Sequence, residues 1–197
     1  MNALKRILLS CFSFLLISHN AFAQAPLERV KEKVDAIISI VVEAKQNQTI
    51  DDTSTREKLW EQVDTIFDFN LLSQKALSRN WPAMNDEEKT EFVGLFRKLL
   101  GRSYLKRIES YDNENIQYHR ESFSTPENAE VFTTIESKGQ QYDLNYRLLQ
   151  REEEWKVYDV SIEGVSLVSN YRAQFNGFLR KNTIQQLLSS LKTKIEE

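Results

Sequence analysis

The feature that most constrains the fold of this chain is a change of hydrophobic period inside one short segment, Trp155 to Phe175. Trp155, Val157, Tyr158, Val160 and Ile162 are β-branched or aromatic, the residues that fill a pleated, buried surface, and Gly164 supplies the backbone freedom of a sharp corner. From Val165 onward the spacing is helical, with Leu167, Val168, Tyr171, Phe175 and Phe178 on one stripe. A strand therefore turns directly into a helix. The two offer apolar faces to a shared interior, so helix must pack against sheet.

Helices precede this corner. Val30, Val34, Ile37, Ile38, Val41 and Val42 recur around a charged opposite face and predict an amphipathic helix over about Leu27 to Lys45. The polar stretch Gln46 to Asp52 reads as a loop, and Ser54 with Glu57 fits a capping box opening a second helix that carries Leu59, Trp60, Val63, Ile66 and Phe67. Asp68, Phe69 and Asn70 interrupt it. Leu71 to Leu77 predicts a short third helix, ended before Trp81 and Pro82 because a residue preceding proline avoids helical geometry. Asn85 and Glu88 repeat the capping box ahead of the longest helix, whose stripe runs Phe92, Leu95, Phe96, Leu99, Leu100, Tyr104, Ile108 and Tyr111. Gly94 and Gly101 lie inside it at about 1 kcal/mol each relative to alanine, which predicts a close neighbour or a ligand, helix packing being the simpler explanation.

After Asp112 the period falls toward two. Ile116 to Ser122, Ala129 to Ser137, Gln141 to Gln150 and Trp155 to Ile162 read as four strands of an antiparallel meander, with tight turns at Ser137 to Gln140 and Arg151 to Glu153. A last helix from Thr183 carries Leu187, Leu188, Leu191 and Ile195. This order predicts an α+β domain with helices gathered on one face of a curved, four-stranded antiparallel sheet.

The first residues bear on the compartment. Lys5 and Arg6 precede an apolar run from Ile7 to Ile17, and Ala21, Phe22 and Ala23 follow, which reads as a secretory signal peptide over residues 1–23. Too little apolar sequence precedes Leu8 to Cys11 for a lipoprotein box, so Cys11, the sole cysteine, leaves with the signal. Removing 23 of the 197 residues leaves 174, the size of a single domain, 24–197, that must rely on its core rather than on disulfides. Lys5 and Arg6 gone, 24 of the 26 basic residues face 29 acidic ones, a formal charge of −5. That balance disfavours nucleic acid and direct insertion into anionic membranes.

The inventory for enzyme chemistry is thin. His119 is the only imidazole past residue 23, on a polar strand, so zinc and Ser-His-Asp readings lack partners and His119 reads as an ordinary strand residue. Asp159 and Glu163, four apart at the corner, could serve as general acid and base if burial separated their pKa values. The structural alternative pairs either of them with Arg172, with Ser166 capping the helix start. Aromatic residues such as Phe67, Phe69, Phe92 and Tyr146 fit packed core as well as a binding cavity, and periodicity does not choose.

The corner sequence Trp155, Val157, Tyr158, Asp159, Val160, Ile162, Glu163, Gly164, Val165 and Ser166, followed by Tyr171 and Arg172, is one of three groups carrying a resemblance. The others are Phe67-Asp68-Phe69 with Leu77 and Trp81, and the long helix with Phe92, Phe96, Leu99, Leu100 and Tyr104. Together they resemble the MlaC family, periplasmic phospholipid carriers of the Mla, or toluene-tolerance, system of Gram-negative bacteria. The resemblance spans nearly the whole mature chain. Asn85 stands where the family pattern has Thr or Ser, an equivalent cap, and Asn70 to Ala76 matches loosely.

The resemblance implies an MlaC-like fold with an NTF2-like subdomain, enclosing an apolar cavity for the acyl chains of a glycerophospholipid. It implies no catalysis, cofactor or metal. Candidate lining residues are Phe67, Phe69 and Leu72, the long-helix residues Phe92, Phe96, Leu99, Leu100 and Tyr104, and the strand residues Val131, Leu144, Tyr146, Val157, Val160 and Ile162. Val165, Val168, Tyr171 and Phe175 extend the set across the corner, which Asp159, Glu163, Gly164, Ser166 and Arg172 hold in shape. The implied partners are an inner-membrane ABC transporter complex with an MCE-domain subunit and an outer-membrane lipoprotein-porin complex, served by a monomer that keeps phospholipid out of the outer leaflet. Alternatives are a carrier of another lipid such as a hopanoid, and a small-substrate enzyme on a cone-shaped α+β scaffold using Asp159 or Glu163.

Overall fold

A computed structural model describes residues 24–196; the signal peptide read over residues 1–23, with Cys11, lies outside the described residues. Helix α1 spans Pro26–Gln46, with proline at its first position and Glu28 in its first turn, both suited to a helix start. Its own sequence supplies no side-chain cap. Glu121, distant in sequence, provides one, accepting the Leu27 backbone N–H at 2.8 Å.

Helix α2 spans Thr53–Ile66 and does not start as expected. Asp52 precedes it without a side-chain cap, so Ser54 is already inside the first turn and the Ser54–Glu57 box is not made. The turn from Thr49 explains the early start: Asp52 N–H donates to the Thr49 carbonyl at 3.0 Å, and Thr55 Oγ1 donates to the same oxygen at 2.8 Å. Helix α3, Phe69–Leu77, begins two residues earlier than expected because Asp68 caps it, accepting from Leu71 N–H. A 3-10 segment over Ser78–Ala83, containing Trp81 and Pro82, leads to α4, Asp86–Glu109. Here the capping box is formed in both directions: Glu88 N–H donates to Asn85 Oδ1 at 2.9 Å, and Asn85 N–H donates to Glu88 Oε2 at 3.0 Å.

The strands are β1 (Asn115–Thr125), β2 (Asn128–Ser137), β3 (Gln140–Arg151), β4 (Glu154–Ile162) and β5 (Val165–Ser166). They pair antiparallel in sequence order, five strands rather than four. The extra strand arises because Glu163 and Gly164 both adopt positive φ, 50° and 76°, turning Val165 back onto Ile162 before the helix begins. Helix α5 then spans Leu167–Leu179 and α6 spans Ile184–Glu196. No helix among the described residues is long and apolar enough to cross a membrane.

Two main apolar clusters hold these layers together. Val30 of α1 and Ile66 of α2 cover the sheet residues Val131, Leu148, Trp155 and Val157. Helices α3 to α6 enclose the other cluster around Phe92 and Phe96, both fully buried. Gly101 of α4 is the close approach expected of it: a Cβ there would stand 2.1 Å from the Trp60 ring. Gly94 has no such neighbour within 4 Å.

Candidate functional site

The apolar residues named from the sequence assemble on two walls. On the sheet, Val131, Tyr146 and Val160 form one row across β2, β3 and β4; Leu144 pairs with Ile162 in the next row and Leu148 with Val157 in the previous one. Residues directly opposite on a ladder share a face, so these side chains project from one side of the sheet, and all but Ile162 belong to or pack against the cluster that α1 and α2 cover. Strict alternation would set Val157 and Val160 on opposite faces. The register shift between Arg147 and Leu148 leaves Tyr158 as an extra residue, and this bulge brings both valines to the same side.

The helical wall is built from Leu72 of α3, Phe92, Phe96 and Leu100 of α4, and Val168, Tyr171 and Phe175 of α5, with Leu99 and Tyr104 partly buried against them. Its aromatic rings meet edge-on: Phe96 lies 4.9 Å from Tyr171 and 5.2 Å from Phe175, and Phe92 5.4 Å from Phe175, between centroids. Tyr104 on this wall and Tyr146 on the other both have phenols pushed above their ordinary range, chiefly by burial. Val165 joins neither wall. It is 62% exposed on a two-residue edge strand, flanked by β4 and the start of α5.

The walls meet at Phe67, which packs against both clusters. Its backbone forms a parallel bridge with Val157, and Asp68 N–H donates to the Val157 carbonyl at 2.9 Å. Phe67 stacks on Phe69 with centroids 5.6 Å apart and planes at 23°. A groove of about 690 Å³ opens here. Phe67, Phe69 and Val93 give it an apolar floor, while Asp64 and Asp68 on one side face Arg151, Glu152, Glu154 and Lys156 of the β3–β4 hairpin on the other. Arg151 pairs with Asp68 at 3.4 Å and Lys156 with Glu154 at 2.7 Å. Asp64 holds Arg97 through two bonds of 2.6 and 2.7 Å, and the guanidinium stacks 3.7 Å from the Trp60 ring centroid. An apolar floor with a charged, predominantly acidic rim accommodates an amphiphile, chains inward and polar end toward water.

The corner is pinned, though not by the pair expected. Arg172 bonds neither Asp159 nor Glu163; its Nε donates to the Lys75 carbonyl of α3 at 2.9 Å, because α5 leans on α3. Asp159 is 3% exposed and takes Val168 N–H on Oδ1 at 3.0 Å, and Ser166 Oγ at 2.6 Å and Arg147 Nη1 at 3.3 Å on Oδ2. Ser166 in turn caps α5, accepting Ser169 N–H at 3.0 Å. With both oxygens engaged, Asp159 is closed to a substrate. Glu163 sits at the exposed β4–β5 turn, where its carboxylate accepts the Asp143 N–H, away from the groove. His119 is exposed and bonded to Thr134 Oγ1 at 2.7 Å. Among the described residues no three or more His, Cys, Asp or Glu side chains gather as metal ligands do.

Two residues at or next to the site, Arg147 and Ser73, went unmarked in the sequence. Arg147 is the cross-strand neighbour of Asp159, a partnership hidden by the bulge. Ser73 of α3 is fully buried, and its hydroxyl makes no hydrogen bond, which costs about 1–3 kcal/mol. No periodicity signals it, since serine in a helix ordinarily reads as polar surface.

Three similarities bear on this arrangement. The family model described as MlaC protein matches residues 31–193. The intermembrane phospholipid transport system binding protein MlaC of Haemophilus influenzae is 22% identical over 191 residues, covering 94% of this chain and 89% of that protein. The phospholipid-binding protein of Ralstonia solanacearum, solved in complex with a phospholipid, superposes with a TM-score of 0.79 at 22% identity, covering 86% of this chain and 96% of that one, and shares the fold. With the family pattern running from inside α1 to near the end of α6, through both walls, the groove and the corner, this chain belongs to the MlaC family.

Proposed function

We propose that this protein is a phospholipid carrier that lodges acyl chains along the seam between its sheet and helical walls and leaves the headgroup at the groove beside Phe67. The observation that carries this reading is the family match over residues 31–193, which includes both walls and their junction. The energetics support it. Two acyl chains of ordinary length hold about 30 methylenes at about 0.8 kcal/mol each, so bare transit through water costs on the order of 24 kcal/mol. The carrier competes with a bilayer that solvates the chains equally well, so a smooth apolar lining without tight polar anchors suits uptake and release alike. The lining drawn from the sequence, less Val165, supplies that chemistry.

In this reading the protein works in the periplasm, exported by the segment over residues 1–23, and passes lipid between an outer-membrane lipoprotein-porin complex and an inner-membrane ABC transporter with an MCE-domain subunit. It thereby maintains outer-membrane lipid asymmetry. Its acidic surface suits docking on basic patches of those partners. The enclosed Asp159 speaks against the enzyme alternative. Native mass spectrometry of the purified protein is expected to find one co-purified glycerophospholipid. Protein that arrives without lipid and also extracts none from vesicles overturns the proposal; hopanoid in place of phospholipid turns it to the other carrier.

A further inference from the structure

The buried hydroxyl of Ser73 has no hydrogen-bond partner among the described residues. Three helical hydroxyls of this chain turn back on the carbonyl one turn earlier: Thr90 on Asp86 at 2.8 Å, Ser103 on Leu99 at 2.9 Å, Thr193 on Ser189 at 3.3 Å. Ser73 has Phe69 in that position and makes no such bond, although it is fully buried. Alanine there would remove an unpaired polar atom and improve helix propensity. The location explains what the hydroxyl can meet. Phe69, one turn earlier on the same face, lines the floor of the groove, while Ala76 and Leu77, one turn later, belong to the helical cluster. Ser73 is therefore not exposed to the groove itself: it is buried one helical turn behind the groove's apolar floor, on the way to the helical cluster, where a chain entering between the walls would uncover it.

We infer that Ser73 is a specificity-determining contact for the lipid: its hydroxyl donates a hydrogen bond to an ester carbonyl of a diacyl phospholipid seated with its chains along the seam. This rests on the carrier reading. An ester carbonyl is the acceptor an amphiphile presents at that depth, between its phosphate and its methylenes. A dialkyl ether lipid of the same headgroup and chain length keeps the apolar contacts and loses the carbonyls.

The test is competitive loading from vesicles containing equal amounts of dipalmitoyl phosphatidylglycerol and its dihexadecyl ether analogue, with bound lipid weighed by native mass spectrometry. The wild-type protein is expected to favour the diester by about threefold to tenfold, the range one net hydrogen bond confers. Ser73→Ala is expected to load both lipids with the preference reduced to within about twofold, and to melt no lower than wild type, which shows it folded. Ser73→Thr, which restores a hydroxyl, is expected to regain the preference. Equal loading of both lipids by wild type, or a preference that survives in Ser73→Ala, overturns the inference while leaving the carrier reading intact. Failure of wild type to load either lipid overturns both.

Discussion

Asp159 shows how one side chain can join three elements. It ties β4 to Arg147 of β3 and to the first turn of α5 through Ser166 Oγ and Val168 N–H. Replacing it with alanine leaves Arg147 without that partner and Val168 N–H buried and unmatched, so Asp159→Ala is expected to lose about 3 kcal/mol in urea unfolding. A loss under about 1 kcal/mol would mean that the corner holds by packing alone. Its importance was legible in the sequence; its partner was not, because Arg147 is set opposite by a bulge that nothing in the local sequence announces. Tyr146 carries a prediction of a different kind. Burial raises its pKa above the ordinary value of 10.0, so below pH 10 neither folded nor unfolded chain pays for the phenol. Above it the unfolded state releases the proton first, binds fewer protons than the native state, and is favoured as pH rises, by about 1.4 kcal/mol per pH unit. Tyr146→Phe is therefore expected to match wild type at neutral pH and to lose stability more slowly between pH 10 and the folded pKa, read as the difference between their denaturant midpoints at alkaline pH.

At the level of elements, α4 contains its own controlled comparison. Gly94 and Gly101 share one helix and one intrinsic penalty, but a Cβ at Gly94 meets open space and a Cβ at Gly101 meets Trp60. Gly94→Ala is expected to raise stability by about 1 kcal/mol, while Gly101→Ala displaces the Trp60 ring, loosens its stack on Arg97 and loses about 1–3 kcal/mol. Thermal unfolding of the two variants separates the outcomes by sign. Stabilisation by both would show that Trp60 yields without cost. The sequence shows the glycines but not which one has a neighbour, since Trp60 arrives from α2 across the fold. Distance along the chain also decides the helix starts. Asn85 and Glu88 form their box because both residues are local to one turn. Ser54 and Glu57 do not, because the Thr49 turn launches α2 two residues sooner, with Asp52 rather than Ser54 before its first turn. Val165, apolar and at helical spacing, was drawn onto β5 by a two-residue turn whose conformation outweighs the period that follows it.

For the molecule as a whole, the stripes that make each wall were readable from periodicity, because each lies within one helix or strand. The seam was not, because it depends on Phe67 meeting Val157, 90 positions further along the chain. Side chains fill the helical wall in ring-to-ring contact, so two acyl chains can be seated only if the walls separate, and they are joined at Phe67 by a single bridge and one backbone hydrogen bond beside it. That is a weak attachment beside the continuous ladders of the sheet, which makes it the natural place to part. A covalent clamp tests this directly. No cysteine follows Cys11, so Phe67→Cys with Val157→Cys puts one isolated thiol pair on facing backbone positions of the bridge. Under oxidation the pair is expected to close, raising the melting temperature and cutting phospholipid extraction from vesicles about tenfold by depleting the open population; reduction of the same sample should restore uptake. The reduced form controls for the lost phenyl ring and valine methyls, so the comparison isolates the bridge. Extraction at the reduced rate by protein whose raised melting temperature proves the disulfide closed would mean that the chains enter without separating the walls at Phe67, and would move the entry elsewhere along the seam.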